Sequence, residues 1–387
     1  MTTTLFVVAL VILTALVFDF TNGFHDSANA MATSVATGAL RPRTAVIIAA
    51  ILNVVGAFLS TEVAKTISGG IVNDVVVTPV MIFAGLVGAI LWNLLTWLFG
   101  LPSSSSHALF GGLIGAVLVG AGTSGVNFSV IVSKILLPAV VAPVVAGLAA
   151  GLATLMIYRW IRRADEEPAA RWYRGGQTIS GSMIALAHGT SDGQKTMGVI
   201  TLVLITAGYQ DSGTGPQFWV IVTAGLAIGL GTYSGGWRIM RTMGKGIVEI
   251  KAAQGLAAET TSAAAILASS HMGFGLSTTQ VCAGSIIGSG VGRKRADVRW
   301  GTARKMAYGW LLTLPAAGLV GGIAAAIALT GTVGVVLVFC ALVAGSATIW
   351  TISRRAPVSS DNVNDSPDVV INPEKSHLPT PPHAAAH

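Results

Sequence analysis

Long apolar runs organise this chain, and two of them are broken at matching places by charged and amide side chains. The apolar stretches cover about 5–40, 44–60, 78–100, 103–120, 128–158, 178–208, 217–232, 254–272, 276–292, 306–329 and 332–352. Several reach the ~20 residues with which a helix crosses a hydrocarbon core of about 30 Å. Segments 103–120 and 276–292 are short and suit re-entrant hairpin arms. The pattern predicts an all-α, polytopic membrane protein with about 10–12 membrane segments; a barrel would show short stretches of alternating polarity.

The polar breaks come in pairs. Residues 22–30 read NGFHDSANA and residues 188–196 read HGTSDGQKT; superposing Gly23 on Gly189 sets Asp26 on Asp192, a shift of 166. A carboxylate at the centre of a bilayer costs roughly 2.5–3.5 kcal/mol on insertion scales, so two in matching positions argue for use. Interrupted segments in corresponding places are also how a secondary transporter marks its binding site. A second pair, PSSSSHALFGGLIG at 102–115 and LSTTQVCAGSIIG at 276–288, aligns Ser104–His107 with Ser277–Gln280, a shift of 173. Hydroxyl runs opening a glycine-rich helix put free N–H groups, the positive dipole end and extra donors around an anion. A single such run reads more simply as a helix cap. Two runs, symmetrically placed beside two buried acids, point to a tetrahedral oxyanion, phosphate or sulfate.

Composition agrees with a membrane setting. Of 387 residues 52% are hydrophobic and 10% charged, with a mean hydropathy of +0.72. Soluble domains average about 25% charged residues. The net charge of +7 sits in short connections and implies membrane orientation, with no nucleic-acid partner. Arg41 and Arg43, the connection 159–177 with Arg159, Arg162, Arg163, Arg171 and Arg174, the segment 233–253, and the loop 293–305 with Arg295 all fall on one side by span counting. The positive-inside rule makes that side cytoplasmic. The opposite loops 61–77, 121–127 and 209–216 hold only Lys65 among basic residues.

The same count orients the two halves oppositely, as two inverted-topology repeats with broken helices. The division is a repeat at 1–158, a basic cytoplasmic linker at 159–177, a second repeat at 178–352, and a disordered cytoplasmic tail at 353–387. That tail includes His377, His383 and His387. The apolar start has no basic n-region and reads as a first span, not a cleaved leader. Cys282 and Cys340 are expected as free thiols.

Asp26 and Asp192 suit a hard cation or a transferred proton. Asn29 and Lys195 each follow one of these acids by three positions. Lys195 either neutralises Asp192 or attracts the anion; the sequence leaves both readings open. Glu259, in AAETTSAAAILASS, is a further candidate for cation or proton coupling, against a helix-end residue near the surface. Asn22, His25, His107, His188 and Lys195 are accessory candidates, His25 and His188 as proton relays. His271 also lies in an apolar segment. No HExxH or Cys/His spacing marks a metal site, and no Walker A sequence supports ATP-driven transport.

NGFHDSANA, HGTSDGQK, PSSSSH and LSTTQ together resemble the signature motifs of the inorganic phosphate transporter (PiT) family, and GGWRIMRTMGKGI at 235–247 adds to the match. The resemblance spans nearly the whole chain to about residue 352 and is nearest the bacterial low-affinity permeases. It implies symport of inorganic phosphate, alone or as a metal–phosphate complex, with a proton or sodium ion. It also implies a homodimer among lipids of the plasma membrane, with no cofactor. By position, Asn29, Ser104, Ser105, Ser106, Ser277, Thr278, Thr279 and Gln280 would contact phosphate, and Asp26, Asp192 and Glu259 would couple the cation. Gln280 stands where the family usually has His, Gly275 where Pro is common, and Asn53 where many sodium-coupled relatives have Glu. A sulfate permease, a passive channel, and an intramembrane enzyme using Ser104 and His107 on a phosphorylated lipid are the alternatives.

Overall fold

The computed structural model describes residues 2–161, 166–294 and 297–365. Arg162, Arg163, Arg295 and the three histidines near the C-terminus lie outside the described residues. The first half runs α1 (Thr2–Ala36), α2 (Pro42–Ala57), α3 (Glu62–Gly70), α4 (Pro79–Leu98), α5 (Ser105–Ala121), the single turn α6 (Phe128–Ile131) and α7 (Leu137–Ile161). The second runs α8 (Glu166–Thr206), α9 (Phe218–Ser234), α10 (Trp237–Arg241), α11 (Ala252–His271), α12 (Thr278–Gly292), α13 (Trp300–Ala328) and α14 (Thr332–Ser353). Among the described residues extended pairing is confined to two isolated bridges, Val72 with Val126 and Val248 with Val298.

Among the described residues five helical segments are long and apolar enough to span a membrane, and two bent pairs raise the number to seven. The pairs are α2–α3 and α9 with Trp237–Gly246, bent by 64° and 61°. The helices that fall short are those that carry polar interior residues or are brief: α5 and α12 have 17 and 15 residues. Polarity and length lower the number from the expected segments; the helices themselves lie where the apolar runs place them.

Local chemistry sets several boundaries. Pro42 and Pro79 open α2 and α4, where a missing N–H costs nothing. Ser104 and Ser277 cap α5 and α12, each side chain accepting from the backbone N–H three residues on, at 3.2 and 3.3 Å. Two stretches expected as loops are partly helical, α3 and α10. Within the expected linker 159–177, residues 166–177 are helical and form the first turns of α8, which begins at Glu166. Residues 354–365, expected in the disordered tail, are held in turns. Arg238 donates to the Ser353 and Ala356 carbonyls, Arg241 donates to the Asn362 carbonyl, and Val363 is buried.

The halves exchange partners. α5 packs along α13 and α12 along α7. At both crossings glycine meets glycine: a Cβ on Gly115 would strike the Gly318 carbonyl, and one on Gly288 would strike that of Gly147. α1 packs on α9 and α2 on α8 in the same reciprocal way. At the centre α1 and α8 cross with opposite polarity, since Asp26 meets His188 while Ser34 meets Gln177.

The connections sort onto two faces. Loops 61–77, 121–127 and 209–216 touch through Val72–Val126 and through Ser212, which donates to Asp74. The basic connections touch through Val248–Val298, Arg299 to the Lys245 carbonyl, and Arg43 beside Asp361. Between those faces the molecule is apolar outside and polar within. Val140, Leu148 and Leu311 are 69, 65 and 73% exposed, whereas Asp26, Asp192 and Lys195 are at most 1% exposed. Only a hydrocarbon solvent rewards that arrangement.

Candidate functional site

Asp26 sits in the last third of α1, and its neighbours in space come from α5, α8 and α12. Ser105 Oγ donates to Oδ2 at 2.7 Å, Thr279 Oγ1 donates to Oδ1 at 3.2 Å, and His25 Nδ1 lies 2.6 Å from Oδ1. Asn29, one turn on, donates to Thr279 at 2.9 Å. Asp192 on α8 has the corresponding company. Lys195 Nζ lies 2.6 Å from its Oδ1, and Thr278 Oγ1 donates to Oδ2 at 3.4 Å. Lys195 also donates to Ser106 Oγ and to the Leu276 carbonyl, at 2.5 and 3.2 Å. The ammonium therefore neutralises Asp192 and reaches the first hydroxyl helix as well.

The two hydroxyl runs divide their labour. Ser104 and Ser277 are caps, as the simpler reading of such runs holds. Three of the residues after the caps donate to the acids, Ser105 and Thr279 to Asp26 and Thr278 to Asp192, while Ser106 accepts from Lys195 and donates to the Leu276 carbonyl. The first turns of α5 and α12 thus meet the crossing of α1 and α8. Gln280 lies 3.5 Å from His107 Nδ1, which ties the two N-termini together, and its Oε1 has no hydrogen-bond partner. Ser104 accepts only the backbone N–H of His107, and the imidazole faces Gln280, so no nucleophile–base pair exists there.

His188 stands between the carboxylates. Its Nε2 is 3.5 Å from Asp192 Oδ2 and 4.0 Å from Asp26 Oδ2. Asn53 on α2 donates its amide to Thr232 Oγ1 at 2.7 Å, which turns its Oδ1 toward His188 Nδ1 at 3.1 Å. Nδ1 then carries a proton. A neutral ring would point its Nε2 lone pair at two carboxylates, so that point calls for a positive charge, either on the ring or between ring and acids. One ligand atom from each of Asp26, His188 and Asp192 fits within 4.8 Å of the others. Motif spacing cannot show such a group, because its members come from two halves of the chain.

Glu259 lies elsewhere, 1% exposed, in a cage of its own. Thr33 and Ser34 of α1 donate to Oε1, each at 2.6 Å, Gln177 donates at 3.3 Å, and Ser180 donates to Oε2. It is no surface helix-end residue. Asn22 is buried with both side-chain polar atoms lacking hydrogen-bond partners. His25 Nε2 reaches Thr96 and Ser103 at 3.4 and 3.3 Å. Sequence reasoning passed over the Glu259 cage and Asp19. The cage members are scattered hydroxyls with no motif; Asp19 shares the face of α1 that Asp26 uses, and helical spacing was the signal for it.

A helical membrane protein whose interior brings carboxylates against two hydroxyl-bearing helix N-termini is built to hold ions within the bilayer. The profile of the phosphate transporter family matches residues 22–321, and the chain belongs to that family. It is 53% identical over 363 residues to a "Probable low-affinity inorganic phosphate transporter" of Mycobacterium bovis, covering 93% of this chain and 87% of that one. A Bacillus subtilis protein with the same description is 40% identical over 317 residues, 81% of this chain and 95% of that one. The fold resembles a solved structure described as "The sodium-dependent phosphate transporter", with a TM-score of 0.71 and 22% identity over 84% of this chain and 99% of that one. The protein is a multi-pass protein of the bacterial plasma membrane and is not an enzyme.

Proposed function

We propose that the protein imports inorganic phosphate by cation-coupled symport with alternating access. The observation that carries this is the meeting of two hydroxyl-bearing helix N-termini with Asp26 and Asp192. Hydroxyls that donate to carboxylates here are the same donors a phosphate needs, and rotation about χ1 of Ser105, Thr278 and Thr279 redirects them to an anion. An oxyanion beside two carboxylates is tolerable only with accompanying positive charge. Lys195 supplies one charge; the His188 locus, ringed by Asp26 and Asp192, is where a proton or sodium ion supplies the next. Cation and anion then occupy one enclosure and stabilise each other, which is the physical basis of obligatory coupling.

The reciprocal packing of α5 on α13 and α12 on α7, and the opposed run of α1 and α8, support two inverted repeats. Rocking one set against the other about the shared centre would open it alternately to each face. The test is uptake of radiolabelled phosphate into vesicles under an imposed proton or sodium gradient. Separate arms add a divalent metal, for a metal–phosphate complex, and excess sulfate, for selectivity. Accumulation above the external concentration is expected under one of the two gradients. Equilibration without accumulation under both would instead mark a passive channel.

A further inference from the structure

Asp19 is fully buried, and neither of its carboxylate oxygens has a hydrogen-bond partner. It stands seven positions before Asp26, two turns and ~10 Å earlier on the same face of α1. Asn22 stands between them on that face, also fully buried, with its Oδ1 and Nδ2 both unpartnered. From α8, Thr196 brings its hydroxyl beside the Asp19 carboxylate without closing a hydrogen bond of normal geometry, and it too is buried. Thr196 is one turn beyond Asp192, as expected where α1 and α8 run oppositely. The charged groups that act on Asp19 across this crossing are Asp192, His188 and Lys195.

A buried carboxylate with no donor is among the costliest arrangements in a protein interior. Lys195 and His188 do not relieve it, because each is engaged by Asp192, and His188 also faces Asp26. The unpartnered atoms here are mostly oxygens: two from Asp19, the Asn22 amide oxygen and the Thr196 hydroxyl. Hard oxygen donors with one formal negative charge match a small monovalent cation; a divalent ion would want more charge.

We infer that Asp19, Asn22 and Thr196 form a sodium site on the α1–α8 crossing, one step from the central enclosure. On the orientation set by the basic connections, Asp19 is on the external side of Asp26. An arriving ion would meet it before the central acids, and its charge would reach them across ~10 Å of low-dielectric interior. The external placement rests on the transport reading; the binding site does not.

The test uses the purified full chain in detergent, free of phosphate, with radiolabelled sodium as the probe and choline as the replacement cation. The parent is expected to bind sodium, with potassium a poor competitor. Asp19→Asn should remove one component of that binding or raise its half-saturation at least about tenfold, and Thr196→Ala should weaken it. Asp19→Glu, which keeps the charge, should restore sodium-dependent protection. Thermal melting gives a second readout with a distinctive sign. In choline, Asp19→Asn should melt higher than the parent, because an unpaired buried charge is gone, and sodium should raise its melting point less. Unchanged sodium binding in Asp19→Asn would overturn the inference. So would a parent whose melting responds to pH and not to sodium, since Asp19 would then hold a proton. A parent that binds sodium through Asp19 yet accumulates no phosphate in vesicles would sink the transport reading alone.

Discussion

Lys195 and Asp192, three residues apart on α8, form a fully buried ion pair with 2.6 Å between Nζ and Oδ1. Burying such a pair brings little net stability, but breaking it leaves an uncompensated charge, at a cost of about 3–5 kcal/mol. Lys195→Met and Asp192→Asn are each expected to lower the melting temperature sharply. The double variant should be more stable than the sum of the singles implies, and a double-mutant cycle of melting curves checks this. Additive losses would mean that the pair is not coupled.

The Glu259 cage makes a different prediction. Four neutral donors converge on one carboxylate with no cation in the ring. Glu259→Gln preserves size but turns half of the acceptor set into a donor, so Ser180 or the Thr33–Ser34 pair must reorganise. If Glu259 takes part in coupling, gradient-driven accumulation falls by an order of magnitude or more, while exchange of internal for external phosphate persists. Equal loss of both activities would assign the cage to folding instead.

On the face with few basic residues, Lys65, Lys134 and His271 line a cavity of about 460 Å³ together with Glu62 and Thr66. Lys65 is held by Glu62 at 2.8 Å, and Lys134 lies over the Phe274 ring at 4.0 Å. Phe274, under the Lys134 ammonium, is two residues before Leu276, whose carbonyl accepts from Lys195. Lys134→Gln should raise the phosphate concentration for half-maximal uptake severalfold at low ionic strength. The difference should shrink in high salt, because exposed charges are screened over about 8–10 Å.

Backbone crossings set a packing prediction. Gly115→Val and Gly288→Val each thrust side-chain atoms into a facing backbone carbonyl, and each should cost at least the roughly 1–3 kcal/mol typical of overpacking. The two should behave alike, because the crossings of α5 with α13 and α12 with α7 are reciprocal. Gly175→Ala, in a part of α8 with open space around the added methyl, should instead be neutral or mildly stabilising. Melting curves of the three variants decide.

Much of this architecture was legible in the sequence because lipid leaves a chain few choices. Apolar runs became helices within a few residues, and the paired motifs met at the centre, where the hydroxyls of α5 and α12 donate to Asp26 and Asp192. Broken helices were expected, but not at the bends after α2 and α9, because α3 and α10 are short and carry Glu62, Lys65, Arg238 and Arg241, which made them resemble loops. The start of α8 at Glu166 was hidden by charge, which sequence reasoning assigns to connections although a helix projecting beyond the bilayer carries it readily. Residues 354–365 escaped because their order comes from Arg238 and Arg241 on a distant segment, not from any pattern of their own. Asp19 stood in plain view, but only the packed α1–α8 crossing reveals that it lacks a partner.

The most direct measurement is equilibrium binding of radiolabelled phosphate to the purified protein, comparing the parent with a Ser105→Ala/Thr279→Ala double variant, in sodium and in choline at two pH values. Loss of the two hydroxyls should weaken phosphate binding at least about tenfold, with the parent's affinity rising when sodium or acid is supplied. Unchanged phosphate affinity in a folded double variant, or binding indifferent to both cations, would contradict the account at its centre.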